Sequence, residues 1–306
     1  MTDYGRPLSF GYFLNPSAER AAESLAAARV ADELGLDLIG IQDHPYQPRF
    51  LDTWTFLTWL AAETERIRFF PDVATLALRS PGMLAKAATS LDRLSGGRFE
   101  LGLGIGAFPN GIRAIGGEPL RPGQAIEALE EGIAVIRAMW SGDRRASFDG
   151  RWFHLGPGVA GPVPAPPIGI WIGAYKPRIL GLTGRLGDGW VPTLTYAGPA
   201  ELPAMHERID AAALGAGRDP AAIARIYNVA GQITDQPVSG LLNGPVDHWV
   251  ETLTALAVDY GMDGFVFGPV TAPPEQLRRF AGDVVPAVRE AVGATRRDRG
   301  TGPPER

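Results

Sequence analysis

Short apolar runs alternate along this chain with longer stretches in which apolar residues recur every three or four positions. The first pattern suits strands buried on both faces, and the second suits helices with one apolar stripe. Strands are predicted over residues 8–14, 37–42, 67–76, 98–106, 168–173, 189–194, 224–234 and 263–269. Helices are predicted over residues 18–35, 53–64, 81–95, 123–140, 176–187, 199–217, 246–261 and 273–292. Gly35 closes the first helix and Pro81 suits the first turn of the third. Residues 108–122 read as loop, and residues 146–155 as a small hairpin turning at Asp149-Gly150.

Eight strands alternating with eight helices predict an α/β protein with a parallel sheet. The count suits a (β/α)8 barrel with insertions after the fourth strand and near the C-terminal face. A doubly wound sheet is the alternative, but its phosphate fingerprint belongs in the first strand–helix turn. Here that turn reads NPSAER, without glycine. The chain is predicted as one domain over residues 1–293, followed by a polar tail, 294–306, expected to be disordered. The second helix carries Trp54, Phe56, Leu57, Trp59 and Leu60 around most of its circumference, which predicts a subunit interface and a homodimer.

Composition narrows the function. Net charge is −5 across 306 residues, with no basic stripe, so nucleic acid is not an expected partner. With no cysteine, thiolate nucleophiles and cysteine-bound metals are excluded. The N-terminus shows no signal peptide and no run of about 18 apolar residues could span a bilayer, so no membrane association is expected. The expectation is a cytoplasmic protein acting on a small-molecule substrate. Lys86 and Lys176 are the only lysines, which makes the position of each informative.

In a barrel, chemistry sits where strands end. The second strand ends in Asp43-His44, and the third near Val73-Ala74-Thr75. The fourth dissolves into GLGIGAFPN, residues 102–110, and the fifth ends in Gly173-Ala174-Tyr175-Lys176. The glycine run fits neither register of G-x-G-x-x-G, since Ala107 or Pro109 takes the last place and no helix follows at once. Its glycines serve either strand packing or the close approach of a flat ligand. Of His44, His154, His206 and His248, only His44 is at a strand's functional end. It is either structural or a proton-moving, cofactor-binding imidazole. The four are too scattered to suggest a metal site. Lys176 precedes a helix N-terminus, where it is either solvent-facing or part of an anion site.

Taken together these segments resemble the bacterial luciferase-like flavin and deazaflavin oxidoreductases. DRLSGGRFELGLGIG (92–106), DLIGIQDHP (37–45) and IWIGAYKPRILGLTGRLGDGW (170–190) carry the likeness. The resemblance runs from about residue 8 to 267 and implies the barrel. An Asp-His end to the second strand looks more like members using coenzyme F420, a deazaflavin, than members using FMN. It implies Asp43 and His44 at the reactive face, His44 being the catalytic group. It further implies a non-prolyl cis peptide, by position Val73-Ala74, behind the ring, with Gly104, Gly106 and Ala107 beside it. Asn110 is similar in spacing to a deazaflavin-binding asparagine. Gly173, Ala174, Tyr175 and Lys176 would hold the phosphate. Ala107 stands where some deazaflavin dehydrogenases carry a proton-transferring glutamate, which points away from sugar phosphates. Tyr46, Phe50, Trp54 and Phe108 could line an apolar substrate pocket. The implied activity is hydride transfer between F420 and a small organic substrate. The alternatives are an FMN-dependent monooxygenase and a non-catalytic flavoprotein on the same fold.

Overall fold

The computed structural model describes residues 3–271 and 273–300. The barrel strands are β1 (Ser9–Leu14), β2 (Leu38–Ile41), β3 (Arg68–Pro71), β4 (Ala74–Thr75) and β5 (Leu101–Gly104). A two-stranded hairpin, β6 (Phe148–Asp149) and β7 (His154–Leu155), stands apart. The sheet continues with β8 (Ile170–Ile172), β9 (Gly189–Trp190), β10 (Ala224–Ile233), β11 (Asn243–Gly244) and β12 (Gly264–Pro269). Its order is β3-β2-β1-β12-β10-β9-β8-β5-β4, with β11 beside β10 and every pairing parallel. The predicted third strand is split into β3 and β4. A bridge from Phe69 to Phe99 joins β3 to the start of the next strand and closes the ring.

The helices are α1 (Ala21–Glu33), α2 (Thr53–Ala62), α3 (Pro81–Ser95), α4 (Pro109–Ala114) and α5 (Pro122–Trp140). They continue with α6 (Pro177–Leu186), α7 (Leu202–Gly215), α8 (Val246–Val258), α9 (Pro273–Arg279) and α10 (Val285–Asp298). Gly35 and Gly96 take left-handed φ values of 77° and 73° and end α1 and α3, as only glycine does readily. α4 corrects the reading of residues 108–122 as loop throughout. The hairpin turns through residues 150–153, not at Asp149-Gly150 alone. The last predicted helix is interrupted by a π-turn over Phe280–Val284, just before Pro286. Proline cannot donate to the carbonyl four residues back and crowds it, so the helix widens there. α10 runs to Asp298, past the expected start of the tail; Arg296 ties it to Asp3 at 2.8 Å. Residues 301–306 of that expected tail lie outside the described residues.

The chain itself buries Trp54, Phe56, Leu57 and Leu60 of α2, leaving Trp59 39% exposed. Arg98 explains part of this. Its guanidinium donates to the carbonyls of Ala61 (2.7 Å), Thr64 (3.1 Å) and Ile67 (2.9 Å), fixing the C-terminal end of α2 to the barrel.

Strand alternation makes two interiors. One cluster packs the helices against the outer strand faces. The other, Leu38, Phe70, Trp171, Val191, Ala224, Ile226 and Val266, draws on six strands or their ends and fills the lower barrel. Two residues on, the same strands point inward again. Those positions are Gly40, Asp72, Gly173, Thr193, Asn228 and Gly268, with Gly104 on β5. Large side chains give way to small or polar ones, so the barrel is plugged below and hollow at its C-terminal mouth.

Candidate active site

The hollow is a cavity of about 570 Å³. Asp43, His44, Val73, Gly104, Gly106, Ala107, Gly173, Tyr175 and Lys176 line it, so most of the residues predicted from strand ends converge. Ala74, Ala174 and Asn110 do not line it. Ala74 and Ala174 are buried in the helix-facing core by strand alternation, at 0% and 1% exposure. Asn110 lies exposed on α4, where its Oδ1 accepts from Arg113 at 3.2 Å.

The wall of the slot is set by glycines around one valine. A Cβ on Gly104 would fall 2.7 Å from Val73 Cγ2, and one on Gly173 would fall 3.0 Å from it. The non-prolyl cis peptide is at Asp72-Val73, one bond before the expected Val73-Ala74. Val73 lines the cavity, while Ala74 pairs with β5.

Next to β3, β2 ends and delivers Asp43 and His44. Asp43 is 4% exposed. Burial pushes its carboxyl up to about 6, with Asp52 adding to the rise and Arg79 opposing it. His44 is half-buried, and burial lowers its pKa, which favours the neutral imidazole. Its ring stacks on Tyr46 at 5.4 Å and meets Phe108 edge-on at 5.1 Å. No hydrogen bond from the described residues occupies the ring nitrogens of His44. Gly111 accounts for the position of Tyr46, since a Cβ there would lie 2.6 Å from the tyrosine ring. Tyr46 and Phe108 thus belong to the cavity, whereas Trp54 packs on Phe99 in the core at 5.7 Å and Phe50 pairs with Ser17.

The other histidines are engaged elsewhere. His206 accepts from Arg225 Nε at 3.0 Å inside the core, and burial, with Arg225, drops its pKa to about 3. His154 pairs with Asp149 at 2.5 Å on the surface, and His248 contacts the Gly240 carbonyl at 3.1 Å. At the mouth, Lys176 is the N-cap of α6 and Pro177 its first residue. That helix end directs free N–H groups and a positive dipole end toward the cavity rim.

Residues 8–237 match the family described as luciferase-like monooxygenase. The chain belongs to that family. This luciferase-like protein is 31% identical over 253 residues to the F420-dependent glucose-6-phosphate dehydrogenase of Kineococcus radiotolerans. The match covers 78% of this chain and 72% of that relative. An F420-dependent secondary alcohol dehydrogenase, solved with an F420–acetone adduct, shares the fold at TM-score 0.83 and 17% identity, covering 92% of this chain and 99% of its own. A monooxygenase from Streptomyces bottropensis does so at TM-score 0.78 and 19% identity, covering 91% and 99%. At such identities these two structures speak for the barrel alone.

Sequence reasoning missed several lining residues of this luciferase-like barrel: Phe13, Gln42, Asp72, Thr193 and Asn228; Thr75, named at the end of the third strand, does line it. Asp72, Thr193 and Asn228 are polar residues interrupting apolar strand runs, a signal that strand phase would have turned into positions.

Proposed function

We propose that this chain is an oxidoreductase using coenzyme F420, moving a hydride between the deazaflavin and a small organic substrate. The observation that carries the proposal is the slot itself, lined by Val73 among glycines and by Asp43 and His44 at the end of the neighbouring strand. The dehydrogenase from Kineococcus radiotolerans supports it, being named for that coenzyme.

The residues present fit such a group. Gly104 and Gly173 leave room for the Val73 side chain, which their Cβ atoms would meet at 2.7 and 3.0 Å, so that Val73 can form the wall a flat ring would lie against. Lys176 and the N-terminal end of α6 suit the phosphate of a cofactor tail. When bound, a deazaflavin would supply the ring carbon that accepts or releases hydride. The chain's part is to orient, to exclude water and to handle the proton. Tyr46 and Phe108 cover His44 and keep that wall apolar. His44, neutral and with free ring nitrogens, is placed to take a proton from a substrate hydroxyl or return one to a carbonyl. Ala107 lines the cavity with a methyl group and offers no second proton-transfer group there. With Phe13, Ile112 and Ile126 also lining the cavity, an apolar alcohol or ketone fits better than a sugar phosphate. No helix among the described residues is long and apolar enough to cross a membrane. The proposal includes a cytoplasmic homodimer, with the exposed Trp59 of α2 in the contact.

Titrating the purified chain with F420 and with FMN tests the cofactor. Saturable F420 binding at micromolar concentration is expected. Tight FMN binding without F420 binding would overturn the proposal in favour of a flavin monooxygenase.

A further inference from the structure

The mouth of the barrel is divided by charge. β1, β12, β10 and β9 are consecutive in the sheet, so their C-terminal ends form one arc of the rim. Residues 9–18, 264–271, 226–234 and 189–200 cover those strand ends and the first turns beyond them. They contain no Asp, Glu, Lys, Arg or His. The rest of the rim carries Asp43, His44, Asp72 and Lys176. The uncharged arc faces Val73 across the ring, because the strand order puts β12 and β10 farthest from the break between β3 and β4. β2, which delivers His44, adjoins β1 at one end of the arc.

The arc is also open. Gly268 of β12 pairs with Ala230 of β10, and both line the cavity. Gly104 and Gly173 must be small because Val73 is packed against them. Gly268 is under no such constraint. A Cβ there would lie 3.6 Å from Phe13 Cβ and 4.0 Å from the Val229 carbonyl oxygen, which are ordinary contacts. Its φ is not in the left-handed region either. Glycine weakens a strand, and neither packing nor backbone conformation demands this one. What it supplies is empty space at the height of the slot.

Two large exposed side chains edge that space. Tyr196 lines the cavity, meets Tyr175 edge-on at 5.6 Å and is 67% exposed. Val270 is 70% exposed. Its N–H donates to the Gly231 carbonyl at 3.3 Å and continues the ladder, so strand alternation sets it one layer above Gly268 on the inward face. An aliphatic and an aromatic side chain beside an uncharged gap suit an apolar chain and offer no charge to a phosphate.

We infer that the gap over Gly268 and Ala230 is an exit channel for an alkyl tail, and that the substrate is a neutral long-chain secondary alcohol or methyl ketone. The reacting carbon sits toward the slot, and the tail runs out past Val270 and Tyr196. This rests on the F420 reading above, which sets the ring against Val73, and adds the substrate class. Gly268 and Ala230 decide whether a tail passes, and Val270 and Tyr196 cover its outer part.

The test reads binding and needs no turnover. 2-Butanone, 2-hexanone and 2-nonanone are titrated by calorimetry into the wild type, Gly268→Val, Val270→Ser and Tyr196→Ser, each with and without oxidised F420. A ketone and an oxidised deazaflavin are both hydride acceptors, so nothing reacts during the titration. Each buried methylene is worth about threefold to fourfold in affinity, so wild type is expected to bind 2-nonanone at least about 50-fold more tightly than 2-butanone. Gly268→Val fills the gap and should reduce that ratio to within about fivefold. Val270→Ser and Tyr196→Ser should each lower it about threefold or more. A wild-type ratio within fivefold would overturn the channel, and that result needs no variant to fold. So would a Gly268→Val protein that melts like wild type and keeps the full ratio. Light scattering covers the other occupant: a Val270→Ser protein of lower oligomeric mass with an unchanged ratio would assign Val270 to a contact with a second copy and overturn the channel. A wild type that binds no F420 would overturn the proposed function, while the ketone ratio measured without cofactor still decides the channel.

Discussion

Gly104→Ala adds one methyl where the slot is narrowest, and its cost can be worked from the geometry. The new Cβ would lie 2.7 Å from Val73 Cγ2. Comfortable carbon–carbon contacts run at about 3.5–4.0 Å, so one partner must yield by roughly 1 Å. Valine cannot swing aside cheaply, because its β-branched side chain favours one rotamer. Its methyls also face Gly102 and Gly173, whose Cβ positions lie 3.1 and 3.0 Å away. Overpacking of this kind costs about 1–3 kcal/mol. Part falls on the fold and part on the ligand, since Val73 or the added methyl must move into the slot. The expected outcome is a melting temperature lower by a few degrees together with deazaflavin affinity weakened about 5–100-fold. The control is Gly82→Ala at the start of α3, where an added Cβ meets nothing within 4 Å. That change should leave affinity unchanged and hold or slightly raise stability. Thermal melting and cofactor titration of both variants decide the matter. A Gly104→Ala protein with wild-type melting and affinity within twofold would refute the reading of Gly104 as part of the ring's seat.

Two further outcomes follow from the mouth and the histidine. Lys176→Glu should weaken binding of the phosphate-bearing cofactor about 10-fold or more at low salt, with the difference shrinking at high ionic strength. Affinity equal to wild type at low salt would remove Lys176 from the anion site. His44→Ala should lower turnover by about 10²–10⁴-fold while cofactor affinity stays within threefold. Because burial lowers the pKa of His44, its proton is gained only below the usual histidine range as pH falls. The acid limb of turnover attributable to His44 should therefore lie below about 6.5, the ordinary value for histidine. Unaltered turnover in His44→Ala would exclude the imidazole from proton transfer.

The barrel was legible because its strands are buried on both faces. Runs such as DLIGIQ and DGFVFGP are nearly continuous apolar segments of strand length, and helices such as α1 and α3 end in glycines that the structure holds at positive φ. Asp43 and His44 were legible for the same reason, since a strand's C-terminal end is set by its length. The break between β3 and β4 was not, because FFPDVATL keeps its apolar character straight through the cis bond. α4 was missed because Pro109-Asn110-Gly111 carries three turn-forming residues in a row. Proline suits the first helical turn, and Gly111 is explained by the Tyr46 ring seated against it, a tertiary contact invisible to local pattern. That helix also turned Asn110 outward, away from the cavity its spacing had suggested.

The glycines at the strand ends then take on a positional meaning that the fingerprint search could not supply. On β2 the inward pair is Leu38 and Gly40, around β8 it is Trp171 and Gly173, and on β12 it is Val266 and Gly268. Each is a large residue followed two positions later by glycine, which in a strand means the same face one layer higher. The lower layer fills the barrel and the upper layer empties it. Where the upper residue is not glycine it is Asp72, Thr193 or Asn228, or Phe13 of β1, where the order is reversed and Gly11 lies below, so the polar residues and the empty slot arise from one layer of the barrel. A residue pair of this form at the C-terminal end of a strand marks the height at which a barrel stops being core and becomes site. GLGIG belongs to that layer through Gly104, which in the proposed function makes it part of a flat ring's seat and not a phosphate loop.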